Sequence, residues 1–431
     1  MSRTIFLELN EINFDYVEHY IQQGRLPGFK ALMEEHGVIE TEAEQRYEEL
    51  EPWIQWVTVH SGRAYRDHEI FRLGDIVGRP VPQFFEELES KGHTVGAISP
   101  MNAENRLQNA PYFVPDPWTP TEASGSPFVR RLARAVSEAV NANAHGRVGA
   151  GTLATVLAGL ARFASPRHYG RYASLIARGL RHHWPRAMLL DLLLFDVHNA
   201  LFRKHRPDLS VLFLNAGAHI QHHYFFNSPA CEADRRNPDW YVEPEADPVY
   251  EIYELYDMML RDVRQRFPES RLIVATGLRQ VPYPEVTYYY RFTDHADFLQ
   301  RAGIPGVTGV EPRMSRDFLV HFDSAESAAE AERLLRAATD DEERPLFEEA
   351  DNRGTDMFVT LTYPHEITPG TTAHINGRTI EDLAAHTALV AIKNGHHHTT
   401  GYVIDTAETA ASTRDRTIPL PELHDRIVGA V

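Results

Sequence analysis

Short apolar runs that stop abruptly at polar residues constrain this chain more than any other feature. Ile5-Phe6-Leu7-Glu8-Leu9 runs into Asn10 and Glu11, Leu209 to Leu214 runs into Asn215, and Arg271 to Ala275 runs into Thr276. Each run is too short for a buried helix and reads as a strand covered on both faces. Helical spacing lies between them, in Phe14, Tyr16, Val17, Tyr20 and Ile21 and again from Pro248 to Phe267. A helix over Phe84–Lys91 followed by a strand over Gly92–Ile98 repeats the alternation. Such a pattern predicts an α/β fold, with a mostly parallel central sheet flanked by helices. Ligands of open parallel sheets sit beyond the carboxyl ends of the strands, so the polar residues there are the first functional candidates.

Residues 121–205 break the alternation. Strand-like runs vanish, and Phe128–Val140, Thr152–Phe163, His168–His183 and Arg186–His205 all have helical character. Further on, Phe318–Phe322, Ser324–Ala337 and Met357–Tyr363 read as strand, helix and strand, a small β-α-β subdomain expected on an edge of the main sheet. The organisation is therefore 1–120 as the first part of the α/β core, 121–205 as a helical insertion or cap, and 206–300 as the second part of the core. The small α+β subdomain follows over 301–365, and 366–431 is the C-terminal part of the core.

The 43 basic and 61 acidic residues give a net charge of −18 over 431 residues, which disfavours a nucleic-acid partner. A small anionic substrate remains compatible, because a pocket can differ in charge from the surface around it. The single cysteine, Cys231, rules out an intrachain disulfide and a thiolate metal cluster. The most apolar stretch, Ala187–Phe202, is interrupted by Asp191, Asp196, His198 and Asn199, so no membrane partner is expected. Met1 to Thr4 lacks the form of a signal peptide, which together with the lone cysteine predicts a cytoplasmic protein. A homo-oligomer is compatible with the sequence.

Histidines concentrate in two places, His219-Ile220-Gln221-His222-His223 after one strand and His396-His397-His398 before another. His219 and His222 are three apart, so on a helical turn their rings share a face. Imidazoles with one or two carboxylates can seat zinc, manganese or iron. The expected cofactor is one such divalent ion, with His222, His397, Asn10 and Glu8 as candidate ligands. Glu8 lies within a strand and must be paired or protonated. Glu11, His219, His60 and Thr58 are candidate catalytic groups. Arg279 can clamp an anion, with Thr276, His223 and Trp53 as further substrate contacts. Glu51, Thr58 and His60 come from a helical segment, Pro52 to Gly62, that opens with proline. The histidines of 396–398 precede their strand, so their loop is expected to fold back to join the others.

In order, these segments resemble the alkaline-phosphatase superfamily, in particular its type I phosphodiesterase and nucleotide pyrophosphatase branch. Phe6 to Asp15 resembles the family's first strand and metal-binding Asp-Gly, with Asn10 in the aspartate position. Trp56 to Gly62 is similar to the helix after the family's nucleophile, and that nucleophile would fall near Pro52. Ile220 to Phe225 resembles a motif carrying Asp and His ligands; His222 matches the histidine, and Ala218 stands where the aspartate belongs. Ile273 to Gly277 resembles a strand ending in Asp-His-Gly, with Thr276 and Gly277 replacing both ligands. Gly395 to Gly401 resembles the last histidine motif, and His397 matches best. The resemblance implies an alkaline-phosphatase-like fold, and in the family two metal ions activate a hydroxyl nucleophile. Two of six usual ligands survive here, so ordinary two-zinc activity is not expected.

Two functions follow. The first is a hydrolase-like enzyme with a rebuilt, histidine-rich site, using one divalent metal on a small anionic, phosphoester-like substrate. The alternative is a non-catalytic pseudoenzyme of the same fold, serving as a binding or scaffolding protein with a partner on the helical insertion.

Overall fold

The computed structural model describes residues 3–142, 149–231, 235–312 and 316–431. The expected α/β architecture is present. An eight-stranded sheet runs Thr417–Pro419, Ile39–Glu42, Thr400–Asp405, Arg271–Ala275, Thr4–Leu9, Leu209–Leu214, Val95–Ile98 and Phe113–Val114. The five strands from Arg271–Ala275 to Phe113–Val114 are mutually parallel. All six residues of Thr4–Leu9 are buried, and Leu7 lies in register between Leu212 and Val274. This central strand is apolar because both of its faces are covered.

The Thr400–Asp405 strand runs antiparallel to Arg271–Ala275. Its amino end therefore lies at the edge where the parallel strands have their carboxyl ends. His396–His398 need no loop to fold back, because the strand direction alone delivers them. They also belong to a strand themselves, Thr387–His398.

The chain divides into two compact units. The first comprises Met1–Ala233, Val242–Pro282 and Gly395–Val431, and the second comprises Asp234–Tyr241 and Tyr283–Asn394. The second unit is wider than the 301–365 stretch read from the sequence. Its four-stranded antiparallel sheet, Glu349–Asn352, Asp356–Thr360, Asp317–Phe322 and Val307–Pro312, pairs only within itself and is not an extension of the main sheet. Part of the added residues comes from the paired strands Arg279–Phe292 and Thr387–His398. Their partners are some hundred positions apart, so no local pattern announces the pairing. Phe292, Phe298, Phe318 and Phe347 centre this unit's own core.

Helices fill the expected insertion at Pro127–Ala142, Ala150–Phe163, Tyr169–Gly179 and Trp184–His205. The last buries the polar residues that interrupt its apolar run. Asp196 accepts from the Ser165 amide, the Tyr172 hydroxyl and the His168 ring. Asp191 accepts from the Ala216 amide at 2.9 Å and the Tyr256 hydroxyl at 2.6 Å. Ala216 opens the helix that carries His222, so Asp191 anchors the amino end of a site-bearing helix from outside it. Among the described residues no helix is long and apolar enough to cross a membrane.

Burial raises the Asp191 pKa from 3.8 to about 6, against the opposing hydrogen bonds from Tyr256, Ala216 and Asn215. A carboxyl whose folded pKa is raised favours folding below its unfolded pKa and loses that contribution as pH rises through the folded value. The stability difference between wild type and Asp191→Asn, followed by thermal unfolding, should therefore shift against the wild type from pH 3.8 to about 6 and stay flat above. Asp191→Ala leaves two buried donors unsatisfied and should cost about 1–3 kcal/mol at acidic pH, with the cost falling over the same interval.

Candidate functional site

Glu11 is the first residue past the central strand's polar end. It adopts the left-handed region, with φ 61°, at a cost of about 1–2 kcal/mol for a residue other than glycine. Backbone and amide contacts hold it there. Its amide donates to Thr276 O at 3.0 Å, and its carbonyl accepts from the Gln280 amide at 3.1 Å and from Gln221 Nε2 at 2.8 Å. Gln221 also accepts from Tyr253 and from the Asn13 amide, which ties the turn to two helices.

The turn aims the Glu11 carboxylate into a small polar centre. Asn10 Nδ2 donates to Oε1 at 3.1 Å, and Gln280 Nε2 donates to Oε2. His222 Nε2 stands 3.3 Å and His397 Nε2 3.2 Å from that same Oε2. The imidazoles face each other edge to face, with centroids 5.2 Å apart. Burial would raise the Glu11 pKa, but the charge of His397 and the bonds from His222 and His397 outweigh it, and the carboxyl lies far below its usual range. Glu11 is therefore an anion.

The tautomer of His222 follows from its other nitrogen. Nδ1 lies 3.3 Å from the Gly395 carbonyl, which can only accept, so Nδ1 carries a proton and a neutral ring turns its Nε2 lone pair toward Glu11. Lone pair against carboxylate is repulsive unless a cation lies between them. A protonated imidazole satisfies that condition, and so does a metal ion. Ligands about 2.0–2.2 Å from a shared tetrahedral ion stand about 3.3–3.5 Å from one another. The two carboxylate-to-imidazole distances match this, and ligand atoms of Glu11, His222 and His397 all lie within 4.8 Å of one another. The donor set fits one divalent ion. Glu51 Oε2, 3.8 Å from His397 Nδ1, is placed to orient that ring. The His222 side chain is 35% exposed against 2% for Glu11, so the centre opens to solvent on the His222 side.

The remaining candidates lie elsewhere. Asn10 offers no oxygen, because its Oδ1 accepts from Trp56 Nε1 at 2.7 Å; it holds Glu11 instead. Glu8 and His60 are fully buried and pair with each other at 2.8 Å. Burial raises the Glu8 pKa and His60 opposes the rise, so the sequence requirement that Glu8 be paired or protonated is met inside the core. Thr58 is buried with its hydroxyl 3.2 Å from His68 Nε2. Thr276 accepts from the Tyr402 amide through its hydroxyl. Trp53 donates to Phe71 O. Arg279 bonds Asp15 at 2.8 Å and also Tyr402, so its guanidinium already has an anion.

His219 does not share its face with His222 as the three-residue spacing suggested. Its ring sits 4.6 Å from His223, the four-residue neighbour, while His222 turns to Glu11. Burial, then the charges of His219, His222 and His183, push the His223 pKa well below 6.5. Gln221 and Gln280, which hold the centre together, carried no signal in the sequence, because neutral amides resemble ordinary loop residues there.

No family model matches the chain, and no curated protein matches it. Solved structures similar to it include phosphonoacetate hydrolase from Sinorhizobium meliloti 1021 in complex with phosphonoformate, at 12% identity. That match covers 100% of this chain and 95% of the other, with a TM-score of 0.43. Murine ectonucleotide pyrophosphatase/phosphodiesterase 5, in an inactive form with AMP, is similar at 11% identity, 100% and 95% coverage, and a TM-score of 0.42. Thermus thermophilus alkaline phosphatase is similar at 12% identity, 100% and 90% coverage, and a TM-score of 0.42. At such values the chemistry of this chain has to come from its own side chains.

Calorimetric titration with Zn²⁺ or Mn²⁺ should give one site per chain, abolished by Glu11→Gln or His222→Ala. Asn10→Ala removes only a group that positions Glu11 and should weaken binding by about 10-fold or more. Stoichiometric binding that survives both ligand variants would place the ion elsewhere.

Proposed function

We propose that the protein is a hydrolase acting on a small anionic, phosphoester-like substrate with one divalent ion held by Glu11, His222 and His397. The observation that carries this reading is the buried anionic Glu11 carboxylate set between two imidazole nitrogens at ligand spacing. Bound there, the ion would supply Lewis acidity toward a substrate oxygen at neutral pH. The Gly395 carbonyl holds the His222 ring, and the Glu51 carboxylate lies 3.8 Å from His397 Nδ1. Asn10 and Gln280 neutralise part of the carboxylate charge and hold its orientation.

Water is the proposed nucleophile. Thr58 and Thr276, the two threonines among the candidate site residues, are engaged with His68 and Tyr402. His223, neutral at pH 7 because its pKa is lowered, suits proton acceptance better than donation, and His219 beside it shares that part. Arg279 would meet the substrate anion by exchanging Asp15, which is exposed and easily displaced.

Binding without turnover is the second reading. It is favoured by the engaged threonines and by a cluster of just three candidate ligands among the described residues. Assays of purified protein against phosphomonoesters and phosphodiesters, with and without Mn²⁺ or Zn²⁺, separate the two. The hydrolase reading expects metal-dependent turnover that falls by about 100-fold or more in Glu11→Gln and His397→Ala. Ion binding with no turnover of any ester would leave the binding reading in its place.

A further inference from the structure

The helical segment of the first unit carries a charge and polarity pattern unlike the rest of the chain. From residue 139 to 190 there are seven arginines and no Asp or Glu, in a protein with 61 acidic residues. Five of the nine exposed large hydrophobic side chains among the described residues fall in the same stretch: Leu153, Leu157, Tyr169, Ile176 and Leu180, each 46–80% exposed. Their spacing is helical. Leu153, Val156, Leu157 and Leu160 share one face of Ala150–Phe163, while Tyr169, Ala173, Ile176 and Leu180 share one face of Tyr169–Gly179 and its cap. An apolar stripe normally points at a core, and here the large residues of both stripes point outward.

Basic groups border these faces. Arg171 and Arg178 turn inward to Glu254 and Glu251. Arg162, Arg181, Arg203 and Lys204 are exposed and have no carboxylate partner among the described residues. Arg162, at the end of the first helix, also lines a groove of about 400 Å³ with Arg203, Arg206 and Arg266.

We propose that this surface docks on an anionic lipid membrane, with the outward apolar side chains entering the interface and the unpaired basic residues meeting headgroup phosphates. Charge selects this occupant. A second copy would bring one arginine-rich face against another, with Glu138, Glu251 and Glu254 already engaged by Thr152, Arg178 and Arg171. Of the five outward side chains only Tyr169 is aromatic, which gives nucleic-acid bases little to stack on. Neither helix is long and apolar enough to cross a bilayer, so the docking is superficial.

Co-sedimentation of the full chain with phosphatidylcholine vesicles, with and without phosphatidylglycerol, tests this. Binding should be at least about 10-fold stronger to the anionic vesicles and should weaken as salt is raised. Leu157→Glu and Leu180→Glu alter exposed positions and should keep the wild-type unfolding temperature and metal titration while losing most vesicle binding. Equal binding to neutral vesicles, no binding at low salt, or binding indifferent to both substitutions would overturn the proposal. So would a wild-type dimer that either substitution dissolves, because a second copy would then be the occupant.

Discussion

The anionic Glu11 carboxylate, buried at a left-handed turn, is the constraint around which the centre is built. A lone buried carboxylate would be driven to protonate. This one stays ionised because four groups from four separated segments converge on it: Asn10, His222, Gln280 and His397. The convergence needs the sheet. Glu11 reaches its position by continuing one strand, Gln280 by following the next, and His397 because the strand after it runs the opposite way. Removing the sheet order would leave the same residues with no common point.

One helix face decides what the polar side chains of the central strand can do. Trp56 and His60, four apart on Pro52–Ser61, meet Asn10 and Glu8, two apart on the strand. Helix and strand periodicities match over that span, so both polar residues are satisfied by one face. The same indole limits what position 277 can hold. Gly277 has φ 73°, and a Cβ there would lie 3.1 Å from the Trp56 ring. Trp56 also engages the oxygen of Asn10, through the 2.7 Å bond from its Nε1.

Much of this was legible in the sequence because strands that are buried on both faces end sharply. The apolar runs at 5–9, 209–214 and 271–275 mark both the sheet and the edge where the site lies. The histidine clusters include His222 and His397, which the fold brings beside Glu11, and Glu11 is separable from Glu8 by its place beyond the strand. What stayed hidden was geometry with no local signature. Strand direction at 400–405 is not written in composition. The choice of His223 over His222 as the neighbour of His219 depends on which side of the helix faces Glu11. Gln221 and Gln280 acquire their roles only when residues 11, 221 and 280 meet. The second unit extends beyond 301–365 in part because its long paired strands are distant in sequence.

Charge at the proposed centre bears on how a substrate would arrive. Glu11 and the nearby Glu51 supply two carboxylates, so a divalent ion there would leave no local surplus of positive charge. The whole chain carries −18, and at physiological salt fields fade over about 8 Å. An anionic substrate would thus gain nothing from long-range steering and would have to be captured by contact. That favours small substrates able to reach Oε2 of Glu11 and its two imidazoles through the His222 side, where the centre is open. A long polyanion would feel the acidic surface along most of its length before any part of it felt the ion.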